Sequence, residues 1–291
     1  MRILYCYHAR KRPMYLGDAL ARLGHDVISC SVDDERAFIK EKARLFVCHG
    51  HSAAKRLVPA NKYFKAGMKV YIPTNDTSWW RVNKAGMEAA FRWHEILPEQ
   101  PSYVGGYKSR AHRVEWFPWS VEPRVFYPED VKKQYDVVFA GTLSRAMYRI
   151  RRQFLDHLEE DGFSVWSNQK YIQHDDMRHV FNLGEVCFHM SPGWSPGQIG
   201  LGVPYRTFEV MGCGGVLIIN RNVDVPKLFT EGEHYFMYDT YDDLKKLLER
   251  ILPDKKLLEK VGGQALAAVL EKHTVDHRAK RLFDLLPGGR G

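Results

Sequence analysis

The residues of this sequence best suited to chemistry lie in the segment PYRTFEVMGCGGVLIIN, residues 204–220. Glu209 lies on a predicted short helix, 207–211, and is followed by the small-residue turn GCGG, 212–215, and a predicted strand, 216–220. Because glycine has no Cβ, such a turn allows a ligand or another segment of backbone to come close. By itself, the pattern fits a binding site and a tight helix–strand connection equally well.

A second group of polar side chains follows the predicted strands of the N-terminal half. His8 ends the first strand, His49 and His51 follow the third, and Asp76 follows the fourth. The carboxyl ends of parallel strands line the ligand crevice of an α/β sheet, so we expect these side chains to converge where a base would act on a hydroxyl. The alternative for each histidine is a hydrogen-bonded loop residue. No metal site is predicted, because the His-Gly-His sequence lacks a third ligand at zinc-site spacing and the chain has no Asp-x-Asp.

Aromatic and basic residues alternate shortly after Asp76. The aromatic and basic side chains concerned are Trp79, Trp80, Arg81, Lys84, Phe91, Arg92 and Trp93. A basic cluster, Arg10, Lys11 and Arg12, also follows the first strand. Stacking on bases and pairing with phosphates require this combination, and a core helix with a basic outer face has it too. On the first interpretation, Arg10, Lys11, Arg12, Trp79, Trp80 and Arg81 bind an acceptor.

The net charge of +8 is unevenly distributed along the 291 residues. Residues 1–118 carry 20 Lys and Arg against 11 Asp and Glu, a net charge of +9. Residues 119–291 carry 23 against 24, a net charge of −1. Such an excess attracts an acidic partner, and it also serves solubility.

The order of predicted elements indicates two α/β units. The predicted elements of the N-terminal half are strands over 2–8, 25–30, 45–48 and 70–72, with helices over 13–23 and 52–66. Residues 101–130, rich in proline, glycine and aromatic side chains, then interrupt the pattern. After a strand from Tyr135, the predicted elements are helix 146–160, strand 164–166, helix 174–182, strand 186–190, helix 207–211, strands 216–220 and 234–238, and helices 241–251, 255–271 and 275–286.

Strands that alternate with helices predict parallel sheets covered on both faces. We therefore predict an α/β fold in which two Rossmann-like domains, 1–118 and 119–291, face a central cleft. The last helix is predicted to cross back to the N-terminal domain. Ligands are expected beyond the carboxyl ends of the strands.

The composition is that of a soluble globular protein. No apolar run approaches the roughly 18–20 residues of a membrane span, and the N-terminus does not have the order of a signal peptide. The five cysteines are scattered without a Cys-x-x-Cys, which favours buried reduced thiols. A cytoplasmic location is expected.

The segment 204–220 resembles the donor-site signature of GT-B glycosyltransferases, most closely that of the spore-maturation CgeB-like group and the group 1 family. The positions that match are Arg206, Phe208, Glu209, Cys213 and Gly214. FPWSVEPRVFYP, 117–128, is similar to the interdomain segment of these enzymes, and 135–158, 228–252 and 273–286 resemble elements of their donor domain. The resemblance covers about residues 116–286 and is weak before them.

This resemblance implies that Glu209 accepts hydrogen bonds from the ribose hydroxyls of a nucleotide-sugar donor. A diphosphate requires cations and backbone N–H groups. The cations available are Arg145, Arg149, Arg152 and Arg206, of which Arg149 and Arg152 share a helix face. The remaining donor-binding candidates are Gly141, Thr142, Thr207, Phe208, Gly200 and Gly202. Each arginine taken singly also fits a solvated surface.

One departure from the family pattern concerns the sugar. Many retaining GT-B enzymes have a second glutamate eight positions before the ribose-binding one, and here that position is Leu201. The sugar contact must then come from elsewhere, with the backbone of 200–203 as a candidate. Residues 191–202 form a loop that is a candidate to close over the sugar.

The resulting hypothesis is a metal-independent glycosyltransferase, without a cofactor, that moves a sugar from a UDP-sugar to a hydroxyl. The basic N-terminal half suggests a polyanionic acceptor, with a hydroxymethylated base of double-stranded DNA as the leading candidate. Cell-surface glycans, proteins and small metabolites are alternative acceptors. A non-catalytic nucleic-acid-binding protein and a sugar-nucleotide epimerase of the same architecture are alternatives of other classes.

Overall fold

The computed structural model describes residues 1–7, 15–31, 43–49, 68–72, 95–96, 115–143, 148–168, 172–191 and 194–285. The chain divides into two compact units. Unit 1 comprises Met1–Pro118 together with Val275–Gly291, and unit 2 comprises Trp119–Thr274. Unit 2 is therefore one continuous stretch of chain, whereas unit 1 is made of two.

Unit 1 is built on a five-stranded parallel sheet with the order β2-β1-β3-β4-β5. Its elements are β1 Arg2–Tyr7, α1 Leu16–Arg22, β2 Asp26–Ser31, β3 Leu45–His49, β4 Met68–Ile72 and β5 Glu95–Ile96. The strand order reverses between β1 and β3, and Tyr7 is paired in register with His49 at the end of that strand pair. The predicted helix over 52–66 lies outside the described residues.

The last helix of the chain, α7 Val275–Leu285, belongs to unit 1 and packs on α1. The Nη2 of Arg22 on α1 lies 2.6 Å from Asp276 Oδ1. The buried Arg278 on α7 donates from Nε to the carbonyl of Pro118 at 2.6 Å. These contacts hold the end of the chain to the N-terminal sheet unit.

Unit 2 has a second parallel sheet of five strands, in the order β10-β9-β8-β6-β7. Its elements are β6 Tyr135–Phe139, α2 Arg149–Glu160, β7 Val165–Ser167, α3 His174–Leu183, β8 Gly184–His189, α4 Tyr205–Gly212, β9 Val216–Asn220, β10 Tyr235–Tyr238, α5 Tyr241–Ile251 and α6 Lys255–Lys272. Every residue of β9, VLIIN, is buried, as expected for a strand covered on both faces. The predicted α/β class with parallel sheets is confirmed.

Most predicted elements of unit 2 lie within a residue or two of the observed ones, and the strand 216–220 and helix 241–251 agree fully. The short helix predicted over 207–211 is longer, since α4 begins at Tyr205. Pro204 is its N-cap, with φ −63° and ψ 146°. Proline suits this boundary because it fixes φ and has no N–H to leave unpaired.

The small-residue turn after α4 accommodates another backbone. Gly214 has φ +67°, a conformation that favours glycine. A Cβ on Gly262, on α6, would lie only 2.3 Å from the carbonyl oxygen of Gly214. Within unit 2, the small residues of this turn therefore allow another segment of backbone, helix α6, to come close.

The described cysteines of unit 2, Cys187 and Cys213, are both buried and free. Burial raises the pKa of Cys187 to about 12 and holds that of Cys213 well above its usual range. Both are protonated at neutral pH and pack as small apolar side chains. Among the described residues, no helix has the length and apolar character needed to cross a membrane.

Candidate functional site

The strand order of unit 2 marks where a ligand is expected. The sheet runs in opposite directions from β6, towards β7 on one side and towards β8 on the other. Ligands of open α/β sheets bind in the crevice beyond the carboxyl ends of the strands at this reversal. In unit 2 the crevice is bordered by 140–142 after β6 and 190–191 after β8.

Arg151 on α2 bridges these two loops. Its Nη1 donates to the carbonyl of Thr142 at 2.9 Å, and its Nη2 donates to the carbonyl of Met190. The guanidinium also lies over the rings of Tyr148 and Phe139, at 4.5 and 5.2 Å from their centroids. Arg151 thereby fixes the separation of the two loops at the strand-order reversal.

Among the described residues, the charge of Arg151 is balanced by carbonyl groups and aromatic rings, without a carboxylate. The residue is 5% exposed, and burial lowers its pKa to about 10, so it stays protonated at neutral pH. No carboxylate among the described residues forms an ion pair with it. A buried cation without an anionic partner is costly, and an anionic ligand at this edge would relieve that cost.

Arg151 is not among the predicted donor cations, whereas its neighbours Arg149 and Arg152 are. Arg149 is exposed and Arg152 half-buried, while Arg145 lies outside the described residues. The missed signal is the helical spacing of Arg151 with the buried side chains of α2, Phe154, Leu155 and Leu158. An arginine in the apolar stripe of a helix points into the fold.

The predicted residues of the β6 loop have intramolecular roles. Gly141 donates its N–H to Asn168 Oδ1 at 2.7 Å. A Cβ at Gly141 would lie 2.6 Å from the ring of Phe139, which explains the need for glycine there. Thr142 is exposed, and its carbonyl accepts the hydrogen bond from Arg151.

Arg206 and Glu209, three residues apart on α4, form a buried ion pair. Glu209 has no exposed surface, and the Arg206 side chain is 10% exposed. Arg206 Nη1 donates to Glu209 Oε2, lies 3.0 Å from the sulfur of Met177, and its guanidinium lies 5.1 Å from the ring centroid of Phe181. The structure thus brings the two predicted residues together, with Arg206 directed at α3.

The other predicted residues of α4 are also buried. Phe208 packs edge-on against Phe229 and beside His273, with both ring centroids 5.8 Å away. Thr207 has no exposed surface, and its Oγ1 has no hydrogen-bond partner within the described part of the chain. Phe208 therefore belongs to the core of unit 2, while Thr207 retains an unused hydroxyl.

Two further polar groups, at the end of β8, lack partners within the described ranges. They are Nε2 of His189 and Oγ of Ser191. Burial holds the pKa of His189 well below its usual range, and the charges of Arg151 and Arg206 lower it further, so the ring is neutral at neutral pH. Each unpaired buried group costs about 1–3 kcal/mol, which hydrogen bonds to a ligand or water would offset. His189 and Ser191 lie at the carboxyl end of β8, and this position is the feature of the sequence that could have identified them as site residues.

Gly200 and Gly202 lie in the segment that connects β8 to α4. Both are buried, and Gly202 has φ +77°. The N–H and C=O groups of both are hydrogen-bonded to the loop that follows β9. The backbone groups of these two positions, which are predicted candidates for the sugar contact, are therefore hydrogen-bonded within the protein.

In unit 1, His49 is the last residue of β3, next to the strand-order reversal. The remaining predictions in the N-terminal half lie outside the described residues: His8, His51, Asp76, Arg10, Lys11, Arg12, Trp79, Trp80 and Arg81. Across the described ranges, no group of three or more His, Cys, Asp and Glu side chains is arranged to hold a metal ion.

A protein-family model described as glycosyl transferase-like matches residues 145–284. The match covers slightly less than half of the chain and most of unit 2, including α2, α4 and the loops beyond β8 and β9. A search of curated proteins found no significant match.

Solved structures match almost the full chain. A sucrose-phosphate synthase from Thermosynechococcus elongatus is 13% identical, with a TM-score of 0.71 over 98% of both chains. HepE from Anabaena, in complex with UDP and glucose, is 10% identical, with a TM-score of 0.71 over 98% of both chains. AviGT4, a glycosyltransferase involved in avilamycin A biosynthesis, is 12% identical, with a TM-score of 0.68 over 98% of this chain and 96% of that one.

The chain therefore has the α/β fold of these glycosyltransferase structures. At such low identity, the similarity establishes the fold, whereas activity must be argued from the site. The finer resemblance to the CgeB-like group stays a prediction.

Proposed function

We propose that this protein is a glycosyltransferase that moves a sugar from a UDP-sugar to a hydroxyl acceptor. The observation that carries the proposal is the edge of unit 2 at the strand-order reversal. Arg151, a buried cation with no carboxylate partner among the described residues, lies there, and His189 and Ser191 supply hydrogen-bonding groups that have no partner in that part of the chain. A nucleotide diphosphate sugar offers both the negative charge and the hydroxyls that these groups lack.

The comparisons support the choice of donor. The matched family model covers Arg151, His189 and Ser191. The similar Anabaena protein has been solved with UDP and with UDP-glucose. UDP-sugars are therefore the first donors to test.

Within this proposal Glu209 binds the donor ribose. Its carboxylate is shared with Arg206 and has no exposed surface, so a ribose can reach it only if neighbouring groups move. The family resemblance assigns the contact between Glu209 and the ribose. Because Glu209 is buried, this contact requires the groups that cover it to move. An acceptor base would come from His8, His49, His51 or Asp76 in an inverting reaction, whereas a retaining reaction needs none.

Release of free UDP that depends on an added hydroxyl acceptor is the expected activity, and it should survive EDTA. Arginine can neutralise a diphosphate without a metal ion. The measurement is UDP release and product mass with UDP-glucose and other nucleotide sugars, before and after chelation. Conversion of the sugar without transfer would indicate an epimerase. Loss of turnover in EDTA that Mn²⁺ or Mg²⁺ restores would overturn metal independence.

Arg151→Met is expected to weaken UDP binding about ten- to a hundredfold, because Nε of Arg151, which has no partner within the described residues, would lose a charge-assisted hydrogen bond worth about 1.5–3 kcal/mol. Arg149→Met is the comparison variant, since Arg149 is an exposed arginine on the same helix that the resemblance also offers for the diphosphate; weaker binding in Arg149→Met alone would assign the contact to Arg149. The dissociation constant of UDP would be measured by calorimetry for both variants, with thermal unfolding as a check on folding. Equal UDP affinity in the parent and in Arg151→Met would remove Arg151 from the donor site.

We further propose that the acceptor is a polyanion, with a hydroxymethylated base of DNA as the leading candidate. The charge asymmetry supports this choice. Residues 275–291, which belong to unit 1, carry four Lys and Arg against two Asp and Glu, so the net charge is +11 for unit 1 and −3 for unit 2. A field of this size on one unit favours association with an anionic polymer.

DNA binding is expected to weaken steeply with salt, with a log–log slope of about −0.9 for each phosphate contacted. To modify a base inside a duplex the enzyme would have to extrude it, and Trp79 or Trp80 would then stack on it. The test titrates labelled duplex at two salt concentrations, with a triple charge reversal at Arg10, Lys11 and Arg12 alongside. Binding that ignores both salt and the reversal, or no binding at low salt, would contradict a DNA acceptor and leave the donor site untouched.

A further inference from the structure

The segment 199–203, between β8 and α4, is fixed to the loop that follows β9; we call it the strap. Gly200 donates its N–H to the carbonyl of Arg221 at 2.7 Å, and its own carbonyl accepts from the N–H of Val223 at 3.2 Å. This pair of bonds forms an isolated parallel bridge between the two loops. The strap is therefore anchored at its first glycine by backbone alone.

Two buried side chains anchor the second glycine of the strap. Asp224 Oδ2 accepts the N–H of Gly202 at 2.6 Å, and Asn222 Nδ2 donates to the Gly202 carbonyl at 2.9 Å. The amide of Asn222 is itself oriented, because its Oδ1 accepts from the N–H groups of Asp224 and Val225 at 2.8 and 3.0 Å. Asp224 also pairs through Oδ1 with Lys227 at 2.7 Å. Asn222 and Asp224 are almost fully buried.

The strap touches the edge at which the candidate donor site lies. A Cβ built on Gly200 would lie 2.7 Å from Asn220 Nδ2 and 3.1 Å from Ser191 Oγ. Asn220 ends β9, and its Oδ1 accepts the N–H of Ser191 at 2.7 Å. The hydroxyl of Ser191, which has no partner in the described part of the chain, therefore lies against the strap.

The anchoring bonds use the amides and carbonyls of Gly200 and Gly202 and do not involve those of Leu201 and Val203. The strap then leads through Pro204 into α4. The start of a helix favours an anion, because its first N–H groups and its dipole both point towards it. The strap thus borders the place at which the diphosphate and sugar of a donor would lie.

We infer that Asn222 and Asp224 are positioning residues for the donor. They hold the strap in the one conformation that presents the Leu201 and Val203 amides and the Ser191 hydroxyl to the diphosphate and sugar. The inference rests on the proposed function and adds to it two residues that do not themselves touch the ligand. If Asn222 and Asp224 only stabilised the fold, their loss would weaken the binding of every part of the donor equally.

The experiment compares the full-length parent with Asp224→Ala and Asn222→Asp. The first removes the acceptor of the Gly202 N–H. The second keeps an oxygen for the N–H groups of Asp224 and Val225 but replaces the donor to Gly202 by a charged oxygen that repels the Gly202 carbonyl, so it tests the same anchor if Asp224→Ala does not fold. Lys227→Ala is the control, because it removes the other partner of the Asp224 carboxylate and makes no strap contact. Asp224→Asn, which keeps an acceptor oxygen, should restore the parent behaviour.

The probes are UDP-glucose, which carries the diphosphate and the glucose, and UMP, which keeps the uridine and one phosphate and lacks the second phosphate and the glucose. We expect both strap variants to raise the dissociation constant of UDP-glucose at least about tenfold and that of UMP less than about twofold. Lys227→Ala and Asp224→Asn should leave both within about twofold. Equal weakening of both ligands, an unchanged affinity for UDP-glucose, or the same shift in Lys227→Ala would overturn the inference. A parent that binds neither UDP-glucose nor UDP would instead overturn the proposed function and this inference with it.

Discussion

Glu209→Ala is expected to lower the free energy of unfolding by about 3–5 kcal/mol, because removing one partner of a buried ion pair leaves the other charge uncompensated. Glu209 is fully buried, and its carboxylate accepts a hydrogen bond from the nearly buried Arg206. A role in ribose binding alone would leave the fold intact. Burial of the pair makes the same carboxylate a determinant of stability.

The measurement is urea unfolding of Glu209→Ala beside the double variant Arg206→Met/Glu209→Leu. Replacing both members of a buried pair by apolar side chains of similar volume is often neutral or stabilising. The double variant should therefore recover most of the stability lost in Glu209→Ala. A Glu209→Ala protein as stable as the parent would show that solvent or other groups compensate Arg206.

UDP affinity separates the two roles of Glu209. If the carboxylate binds the ribose, the double variant should regain stability and still bind UDP about ten- to a hundredfold more weakly, since the hydroxyls lose a charged acceptor. Recovery of both properties in the double variant would mean that Glu209 acts only through Arg206. Calorimetric titration with UDP under conditions where each variant is folded provides this comparison.

Gly262→Ala is expected to destabilise unit 2 by about 3 kcal/mol, at the upper end of the range for overpacking. The added Cβ would lie 2.3 Å from the carbonyl oxygen of Gly214, and a backbone atom cannot move aside as a side chain can. Relief would require α6 to shift away from the turn that joins α4 to β9. The free energy of unfolding from urea titration measures the effect.

The next residue provides the matched control. Gly263 lies on the same helix, is exposed, and a Cβ there would meet nothing within 4 Å. Gly263→Ala should stabilise the protein by about 0.5–1 kcal/mol, because alanine loses less backbone freedom in a helix than glycine does. The two substitutions should therefore change the free energy of unfolding in opposite directions. Destabilisation by both would show that helix α6 does not pack on the turn as described.

The sequence predicted the elements of unit 2 well because each has a regular apolar pattern. Strand β9 is a continuous buried run, VLIIN, and α5 repeats its buried leucines at helical spacing, so both have the predicted bounds. The observed α4 begins two residues before the predicted helix, directly after Pro204, its N-cap.

The candidate site was predicted less completely, since side-chain direction depends on tertiary packing. Arg149 and Arg152 were selected for their positions after a glycine turn, whereas Arg151, between them, is the one directed into the fold. The glycines of the strap were identified, but their anchors, Asn222 and Asp224, come from a loop that only the parallel pairing of β8 and β9 brings alongside. Contacts between segments distant in sequence leave no local pattern.

The membership of α7 in unit 1 has a consequence for the order in which the chain folds during synthesis. Unit 2 is continuous, so all of its strands and helices have been translated before α7 emerges. Unit 1 lacks its partner for α1 until then, and the surface of α1 that receives α7 stays uncovered while unit 2 folds. Domains fold as units, the earlier one usually first, as they leave the ribosome. In this protein the unit that begins first is therefore completed last.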